Sequence, residues 1–421
     1  MVTSSLPQRF AKFRSGWRHV DWSLLLLSIA LVAWGGLAIR STEIADRSDF
    51  ALQHWILGGL CLPLVLLVAR CRYEVLIRWH WLTYGLVNAL LVAVMVAGVS
   101  AKGAQRWIPI GGFNIQPSEF AKLGAIVTLA ALLHAKPAST LPALFRTLLV
   151  VAVPWGLVFL QPDLGTSLVF GAIALGMLYW GNAKLGWLVL MVSPLVAAIL
   201  FNLYLPGWFA WTALMTLTAW LTLPLRWMSA LGALVVNALS GGLGILLWRV
   251  LKDYQKDRLI LFLEPERDPL GGGYHLIQSR IAIGAGQLWG RGLNEGTQTQ
   301  LNFIPEQHTD FIFSAIGEEL GFIGSIGLLV IFWLICTRLV FIALNAKENF
   351  GSLLAVGVLS MLVFQVFVNI GMTVGLAPIT GIPLPWVSYG RSAMVTNFLA
   401  IALVESVANH SQIRSFFQSG D

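Results

Sequence analysis

Twelve apolar runs divide this chain, and they restrict it to a membrane fold. Each approaches the roughly 20 residues that an α-helix needs to cross a bilayer. They lie at about 22–40, 51–70, 80–99, 118–134, 143–160, 165–181, 186–203, 208–224, 228–248, 312–337, 351–374 and 388–408. Only 11% of the residues are charged, against about 25% in a soluble domain. The sequence therefore predicts an all-α, polytopic integral membrane protein, with residues 1–421 forming a single membrane domain.

Lysine and arginine are distributed unequally among the short connections. Short cytoplasmic loops of membrane proteins carry the excess of these residues. If the tail 1–21 is cytoplasmic, the cytoplasmic side receives Arg70, Arg72, Arg78, Lys136, Arg146, Lys184, Arg226, Arg338, Lys347 and Arg414. The same orientation makes the tail 409–421 cytoplasmic and places the long polar loop 249–310 outside the cell membrane.

Four connections are rich in polar residues, and this orientation puts all of them on the outer face. They are 100–117, 161–167, 249–310 and 375–390. The cytoplasmic connections, by contrast, are short and lack such polar motifs. Four polar loops on one face predict one composite site.

The first two of these connections contain charged residues at the ends of spans. Arg106 adjoins a tryptophan, which is typical of an anchor at the membrane interface. Glu119 and Lys122 have the spacing of an ion pair at a helix start, but ionisable groups entering a span usually face a cavity or a partner. Asp163 is either the N-cap of the next span or a carboxylate that orients a cation in the outer site.

The long loop carries the densest polar sequence. Asp268 precedes a proline and glycines, which is good turn chemistry. Such a turn would also project its carboxylate from a rigid elbow, as a catalytic base requires. Tyr274, His275, Gln278, Ser279 and Arg280 follow in the chain. At helical spacing the first four of them could together line one broad face.

Three further patterns are ambiguous. The glycines 284, 286, 290 and 292 fail the dinucleotide-binding spacing, so closely packed or flexible backbone is expected. Glu306, His308 and Asp310 resemble a metal triad, but their spacing does not demand a metal. The adjacent carboxylates Glu318 and Glu319 enter a span and need a polar cavity, an arginine partner or a helix-breaking structural role.

The amino-acid sequences of these segments resemble those of the SEDS family (shape, elongation, division and sporulation proteins). The segments are GAQRWIPIGGFNIQPSEFAK, QPDLGTS, RDPLGGGYHLIQSRIAIGAG, GTQTQLNFIPEQHTDFIFSAIGEELG and GIPLPWVSYG. Within the family, GYHLIQS and GTQTQL are more similar to the elongation branch than to the division branch. The resemblance implies a peptidoglycan glycosyltransferase that polymerises lipid II into a glycan strand outside the cytoplasmic membrane, with a class B penicillin-binding protein that crosslinks it.

The resemblance also implies functional residues. The catalytic aspartate of the family matches Asp268, and its other site positions match Arg106, Glu119, Lys122 and Asp163. Two departures stand out. The family has ten spans, whereas 186–248 holds three apolar runs in place of one, which predicts an inserted two-span hairpin at about 186–224. The usual SYGGS reads SYGRS here, and Arg391 adds a cation near the outer face.

The predicted chemistry is a displacement of polyprenyl diphosphate from a sugar, with inversion and with Asp268 as the general base. Cations must balance the departing diphosphate, and a divalent ion such as Mg²⁺ or Mn²⁺ could share this work. The residues assigned to binding the diphosphate or supporting the site are Arg106, Glu119, Lys122, Asp163, His275, Gln278 and Arg280.

Three alternatives remain. A lipid II flippase would need ionisable groups near the membrane midplane, whereas the central thirds of most runs are plain apolar sequence. A scaffold that only recruits the crosslinking partner would not need Asp268. A polymerase of the division branch would use the same chemistry as one of the elongation branch.

Overall fold

The computed structural model describes residues 20–43, 49–101, 104–111, 113–250, 253–268 and 273–411. The two predicted cytoplasmic tails therefore lie outside the described residues, except for 20–21 and 409–411. Arg414 and the turn residues 269–272 also lie outside them.

Twelve long helices occupy the twelve apolar runs, which confirms the predicted polytopic helical fold. The first six are α1 (Trp22–Thr42), α2 (Phe50–Arg70), α3 (Val75–Ala97), α4 (Pro117–Ala135), α5 (Leu141–Leu160) and α6 (Leu164–Trp180). The next three are α7 (Leu185–Leu203), α8 (Leu205–Thr222) and α9 (Arg226–Val250). Three short helices follow, namely α10 (Asp253–Leu263), α11 (Tyr274–Ala285) and α12 (Thr297–Gln300). The last three long helices are α13 (Ile312–Asn345), α14 (Asn349–Val374) and α15 (Arg391–His410).

Ten of the helices in the described part of the chain are long and apolar enough to cross a membrane. The two exceptions are α6, which has only 17 residues, and α8, whose 18 residues include several threonines and tryptophans. Both still pack with neighbouring long helices. Within the described ranges, the bundle thus contains twelve long helices, of which ten meet the length and composition requirement for a span.

The connection between α3 and α4 forms a small antiparallel sheet, which the sequence patterns did not reveal. Its strands are β1 (Val99–Ala101), β2 (Ala104–Ile110) and β3 (Phe113–Ile115), in the order β1-β2-β3. The strands are too short to show a clear alternation of apolar and polar residues. The sheet contacts α3, α4 and α15, so it closes one end of the bundle.

The centre of the bundle is built on α4, α14 and α15, which are largely buried. Close approach of α14 to α4 depends on Gly357, where an added Cβ would lie 2.6 Å from Cγ2 of Ile126. Because neighbouring helices surround α4, the polar residues in its first turns lie in the protein interior rather than in lipid.

Helices α7, α8 and α9 form a group that packs mainly on itself. The predicted hairpin 186–224 corresponds to α7 and α8, which are separated only by Tyr204. Gly241 of α9 faces the ring of Phe201 in α7, with a built Cβ 2.7 Å from that ring. The group joins the rest of the bundle chiefly through α6.

Helix α13 is interrupted near its start by Gly321, whose φ of 65° and ψ of −162° are not helical. The amide groups that the break frees are bonded by the preceding loop. Phe322 N–H donates to the carbonyl of Gln287 at 2.8 Å, and Ile323 N–H donates to that of Leu288 at 3.1 Å. The long loop is therefore attached to the bundle through the backbone of α13.

Candidate functional site

The four polar connections meet at one end of the bundle, as predicted. This loop end comprises the described residues 99–101, 104–111, 113–116, 161–163, 264–268, 273–311 and 375–390. Gln116 N–H donates to Ser392 Oγ at 3.0 Å, which joins the first connection to the start of α15. Tyr389 N–H donates to the His308 carbonyl at 2.9 Å, which joins the last connection to the long loop.

Arg106 of β2 links the sheet to the α5–α6 connection. Its Nε donates to the Gln161 carbonyl at 3.3 Å, and its Nη2 donates to the Pro162 carbonyl. Its Nη1 lies 3.7 Å from Oδ1 of Asp163, with side chains 25% and 6% exposed. Since Asp163 Oδ1 also accepts the Thr166 amide at 3.3 Å, the aspartate is both an N-cap and a partner for a cation.

Gln116 extends this cluster to α4 and was not identified from the sequence. Its Nε2 donates to Asp163 Oδ2 at 3.3 Å and to Ser118 Oγ at 3.1 Å. A neutral amide in a loop carries no signal in the sequence that separates it from ordinary turn residues. The Arg106–Asp163 cluster is therefore tied directly to the first turn of α4.

Glu119 and Lys122 form the expected ion pair within α4. Lys122 Nζ lies 2.8 Å from both carboxylate oxygens of Glu119. The lysine side chain is 1% exposed and the glutamate side chain 4%. Each charge is therefore balanced inside the helix, and the pair lies beneath the surface of the loop end.

Asp268 lies at the surface of the loop end. It follows the 3₁₀ turn Pro265–Arg267 and is exposed. Its carbonyl accepts the Gly273 amide at 3.1 Å. The predicted turn itself, 269–272, lies outside the described residues.

Residues Tyr274–Ala285 form helix α11, which confirms the helical spacing of the sequence. Ser279 fixes this helix against its neighbours. The Ser279 hydroxyl lies 2.6 Å from Ser314 Oγ and 2.7 Å from the Thr373 carbonyl. His275 is half-buried with its ring stacked on Phe311 at 6.1 Å. Helix α11 is therefore held against α13 and α14 through buried contacts.

Two predicted binding residues of α11 lie closer to solvent. Gln278 is half-buried, and Arg280 is exposed. Arg280 Nη2 donates to the Gly375 carbonyl at 3.1 Å. Arg280 therefore brings its charge to the last of the four polar connections.

Glu318 and Glu319 of α13 hold the long loop, which identifies the structural role left open by the sequence. Glu318 accepts the amides of Gln298 and Thr299 at 2.9 Å each, and the Thr299 hydroxyl at 2.7 Å. Glu319 accepts the Asn294 amide at 3.2 Å and the hydroxyl of Ser41 in α1. We call this arrangement the carboxylate clamp.

Backbone contacts reinforce the carboxylate clamp at two of the four glycines. A Cβ at Gly286 would lie 1.9 Å from the Gly317 carbonyl oxygen, and one at Gly290 would lie 2.1 Å from that of Glu319. At Gly284 the same Cβ would meet open space. Of the two expected environments, closely packed or flexible backbone, close packing is found at Gly286 and Gly290, whereas Gly284 faces open space.

Glu43 lies at the loop end between α1 and α2 and was not identified from the sequence. Its Oε1 accepts the Ala51 amide at 2.8 Å. Burial raises the pKa of this carboxyl above its ordinary value, although the hydrogen bond opposes the shift. Glu43 therefore stabilises the start of α2 and is not assigned to the chemistry of the site.

The metal-like triad does not form a metal site. His308 stacks on Phe50 with ring centroids 4.8 Å apart, and Thr309 Oγ1 donates to Glu306 Oε2 at 3.2 Å. Within the described ranges, no group of three or more His, Cys, Asp or Glu side chains could hold a metal ion. Asp163 and Glu119 accept hydrogen bonds from protein donors within the site.

A polytopic helical bundle with a charged, loop-built site at one end is the architecture of a known protein family. Residues 19–413 match the FtsW/RodA/SpoVE family, which is described as "Cell cycle protein". The chain belongs to this family, which confirms the SEDS assignment made from its motifs.

Curated relatives cover nearly the whole chain. The peptidoglycan glycosyltransferase MrdB of Escherichia coli (strain K12) is 35% identical over 402 residues, which cover 94% of this chain and 95% of that one. The peptidoglycan glycosyltransferase RodA of Treponema pallidum (strain Nichols) is 34% identical over 424 residues, covering 92% and 97%. FtsW and stage V sporulation relatives also match, at 33% and 32% identity.

Solved structures agree with the fold. A chain from a structure described as the structural coordination of polymerization and crosslinking by a peptidoglycan synthase complex matches with a TM-score of 0.70 and 29% identity, covering 93% of this chain and 98% of that one. The rod shape determining protein RodA of Thermus thermophilus matches with a TM-score of 0.62 and 26% identity, covering 93% and 97%.

Proposed function

We propose that this protein is a peptidoglycan glycosyltransferase that joins lipid II units into glycan strands during cell elongation. The names of its relatives support the reaction class. The observation that carries the proposal is the placement of an exposed carboxylate, Asp268, at the same end of the bundle as the Arg106–Asp163 cluster. A base and a cation at one end are what a sugar transfer from a diphosphate requires.

The proposed reaction is a single displacement at the anomeric carbon of the donor sugar. The hydroxyl oxygen of the acceptor sugar forms the new bond to that carbon. The bond from the carbon to the diphosphate oxygen breaks, and the diphosphate leaves with the electron pair. Asp268 takes the hydroxyl proton as a general base. Attack opposite the leaving group inverts the anomeric centre.

The departing diphosphate gains negative charge, which positive groups stabilise. Arg106 and Arg280 are assigned this role because their guanidinium groups reach the surface of the loop end and can form paired hydrogen bonds with phosphate oxygens. Lys122 is buried against Glu119, so it acts by holding the first turns of α4 in place. His275 and Gln278 orient α11 beside the diphosphate.

The loop end is assigned to the outer face of the cytoplasmic (inner) membrane, with both termini in the cytoplasm. Basic residues at the opposite ends of the helices support this orientation. They include Arg70, Arg72, Arg78, Lys136 and Lys184. The proposed partner is a class B penicillin-binding protein. This is supported by the similarity of this chain to one chain from a structure of a peptidoglycan synthase complex described as coordinating polymerization and crosslinking.

The test is polymerisation of purified lipid II by the wild type and by Asp268→Asn, each with and without a cognate class B penicillin-binding protein. We expect the substitution to lower the rate by about 10²- to 10⁴-fold, since this is the usual contribution of a general base. Asp257→Asn changes another exposed aspartate of the same long loop and should leave the rate unchanged.

Equal polymer from the wild type and Asp268→Asn would move the chemistry to another residue. No polymer from either, in protein shown to be folded, would favour the transport or scaffold alternatives.

A further inference from the structure

An apolar cavity of about 380 Å³ lies where α7 and α8 approach α6. Its size falls within the range of pockets that hold small molecules. Leu175 of α6 and Trp211 of α8 form two of its walls, and α7 lines the rest with residues that include Leu188, Val192 and Val196. Because the group of α7, α8 and α9 joins the bundle chiefly through α6, the cavity occupies part of that limited contact. We call it the α6–α7 cavity.

Pro194 of α7 explains how the polar atoms at the cavity are satisfied. A proline inside a helix has no N–H for the carbonyl four residues earlier, which here belongs to Leu190. Ser193 Oγ donates to that carbonyl at 3.0 Å, and Trp211 Nε1 donates to the Ser193 carbonyl at 3.2 Å. The hydroxyl and the indole N–H therefore have partners within the protein, and the cavity offers an apolar surface, which does not attract water.

The α6–α7 cavity is open to the lipid side of the bundle. Leu188 and Ser193 are buried, whereas Val189 and Val192 on the same helix are exposed. The cavity therefore begins at the surface that faces the membrane and ends inside the protein. The atoms that line an empty space lack dispersion contacts on one side, so a hydrocarbon chain that enters from the bilayer restores them.

The α6–α7 cavity lies within one leaflet. Helix α7 starts after Lys184, at the end of the bundle opposite the loop end. At 1.5 Å per residue, Leu188 and Val196 lie about 6 Å and about 18 Å beyond Lys184. The hydrocarbon core of a bilayer is about 30 Å thick, so the cavity lies mainly in the leaflet opposite the loop end.

Lys184 brings positive charge to the end of the cavity that is nearest the membrane surface. It is exposed, and its Nζ lies 5.7 Å from the centroid of the Trp187 ring. A ring orients the ammonium group but carries no net charge to neutralise it. In the described part of the chain, no carboxylate forms an ion pair with Lys184. The site thus combines an apolar space with an uncompensated cation at headgroup depth.

The start of α7 adds to this positive potential. Lys184 is the N-cap residue, and its side chain forms no hydrogen bond with the first amides of the helix. The start of a helix carries partial positive charge, which favours an anion at the same place. A phosphate group there would meet both the ammonium group and the helix start.

We propose that the α6–α7 cavity binds one acyl chain of an anionic phospholipid, whose headgroup phosphate pairs with Lys184. The chain fills the space between α6 and α7, and the lysine attracts the negative charge of the headgroup. Under the orientation proposed above, this lipid belongs to the cytoplasmic leaflet. The site takes no part in the transfer of sugars; the lipid completes the packing between the group of α7, α8 and α9 and the bundle.

The test is photolabelling of the full chain in phosphatidylcholine nanodiscs that contain a small fraction of a lipid with a diazirine on its acyl chain. Two probes with the same chain are compared, phosphatidylglycerol, which is anionic, and phosphatidylcholine, which has no net charge. Mass spectrometry measures labelling of residues 188–196. Labelling of 214–221, where Leu214, Leu217 and Leu221 are exposed on α8, provides the reference for ordinary contact with lipid.

We expect the phosphatidylglycerol probe to label 188–196 of the wild type about fivefold more than the phosphatidylcholine probe, the size of one lysine–headgroup attraction. Both probes should label 214–221 equally. Lys184→Gln should remove the preference, and Lys184→Arg should keep it. Lys347→Gln is the matched control, because it removes another exposed lysine at the same end of the bundle and should leave the preference unchanged.

The cavity itself is tested by Val192→Trp, which fills part of the space. This substitution should lower labelling of 188–196 by both probes while labelling of 214–221 stays the same. If Val192→Trp does not fold, the comparison of Lys184→Gln with Lys184→Arg decides, since both replace an exposed side chain.

Equal labelling of 188–196 by the two probes in the wild type would overturn the anionic lipid, because any acyl chain would then suffice. A preference that persists in Lys184→Gln would overturn the assignment of the headgroup. Labelling of 188–196 no stronger than that of 214–221, with either probe, would show that the cavity is not a binding site. None of these results depends on polymerisation of lipid II, so failure of the proposed function would leave them unchanged.

Discussion

Glu119 and Glu318 are both buried carboxylates near the start of a membrane-spanning helix at the loop end, yet their partners differ. Glu119 is paired with Lys122 of its own helix. Glu318 accepts hydrogen bonds from the backbone and hydroxyl groups of residues about 20 positions earlier in the chain. The Glu119–Lys122 ion pair is complete as soon as α4 forms. The hydrogen bonds to Glu318 form only when the long loop is folded onto α13.

This difference separates global from local stability. A buried charge without its partner must be desolvated without compensation, which weakens the whole native state. Loss of one hydrogen bond in the carboxylate clamp instead frees a surface segment that can open without unfolding the bundle. Substitutions in the ion pair and in the carboxylate clamp test this difference between global and local stability.

The largest effect is expected from Lys122→Met, which leaves Glu119 buried beside an apolar side chain. Removing one partner of a buried ion pair typically costs about 3–5 kcal/mol. Unfolding in detergent by heat or denaturant measures the loss. The double variant Glu119→Gln/Lys122→Met should recover most of it, because neither charge is then left alone. A Lys122→Met protein as stable as the wild type would contradict the pairing.

A smaller, local effect is expected from Glu318→Gln. The amide keeps one acceptor oxygen, so at least one of the buried donors at Gln298 and Thr299 loses its partner, at about 1–3 kcal/mol. Hydrogen exchange of residues 294–300 should become faster while that of α4 is unchanged. Glu295→Gln removes an exposed carboxylate of the same loop and serves as the control. Faster exchange throughout the bundle would show that the clamp is a global determinant instead.

The smallest effect is expected from Ser41→Ala. Glu319 loses the hydroxyl of α1 but keeps the Asn294 amide, so the cost should be about 1 kcal/mol. Hydrogen exchange at the end of α1 should rise slightly, with little change in polymerisation. A large loss of activity would mean that α1 positions the long loop for catalysis.

The sequence predicted the elements whose signals are local. Apolar runs located all twelve long helices, and the ion-pair spacing of Glu119 and Lys122 was confirmed. The N-cap at Asp163 was also visible, because it depends on neighbouring residues, whereas the turn predicted after Asp268 lies outside the described residues. The membrane fold, the family and the glycosyltransferase class are confirmed, whereas the catalytic role of Asp268 stays a prediction.

The remaining contacts join residues far apart in the chain and have no local signature. Ser41 bonds Glu319 across 278 positions, and Arg391 bonds Gln53 across 338. Hydroxyl and amide side chains such as these occur in many loops, so their type alone does not distinguish them. The sheet of β1, β2 and β3 was missed because its strands are three to seven residues long.

The group of α7, α8 and α9 has a consequence for how this family can grow. One helix added to a membrane protein turns every later segment over to the opposite side of the bilayer, whereas two restore the original side. A Cβ at Gly186, at the start of α7, would lie 2.3 Å from Oγ1 of Thr222, at the end of α8. The two helices therefore return the chain to the end of the bundle where it entered them, and adding them leaves that parity unchanged. Asp268 and Arg391 follow them in the chain, and both remain on the side where Arg106 lies.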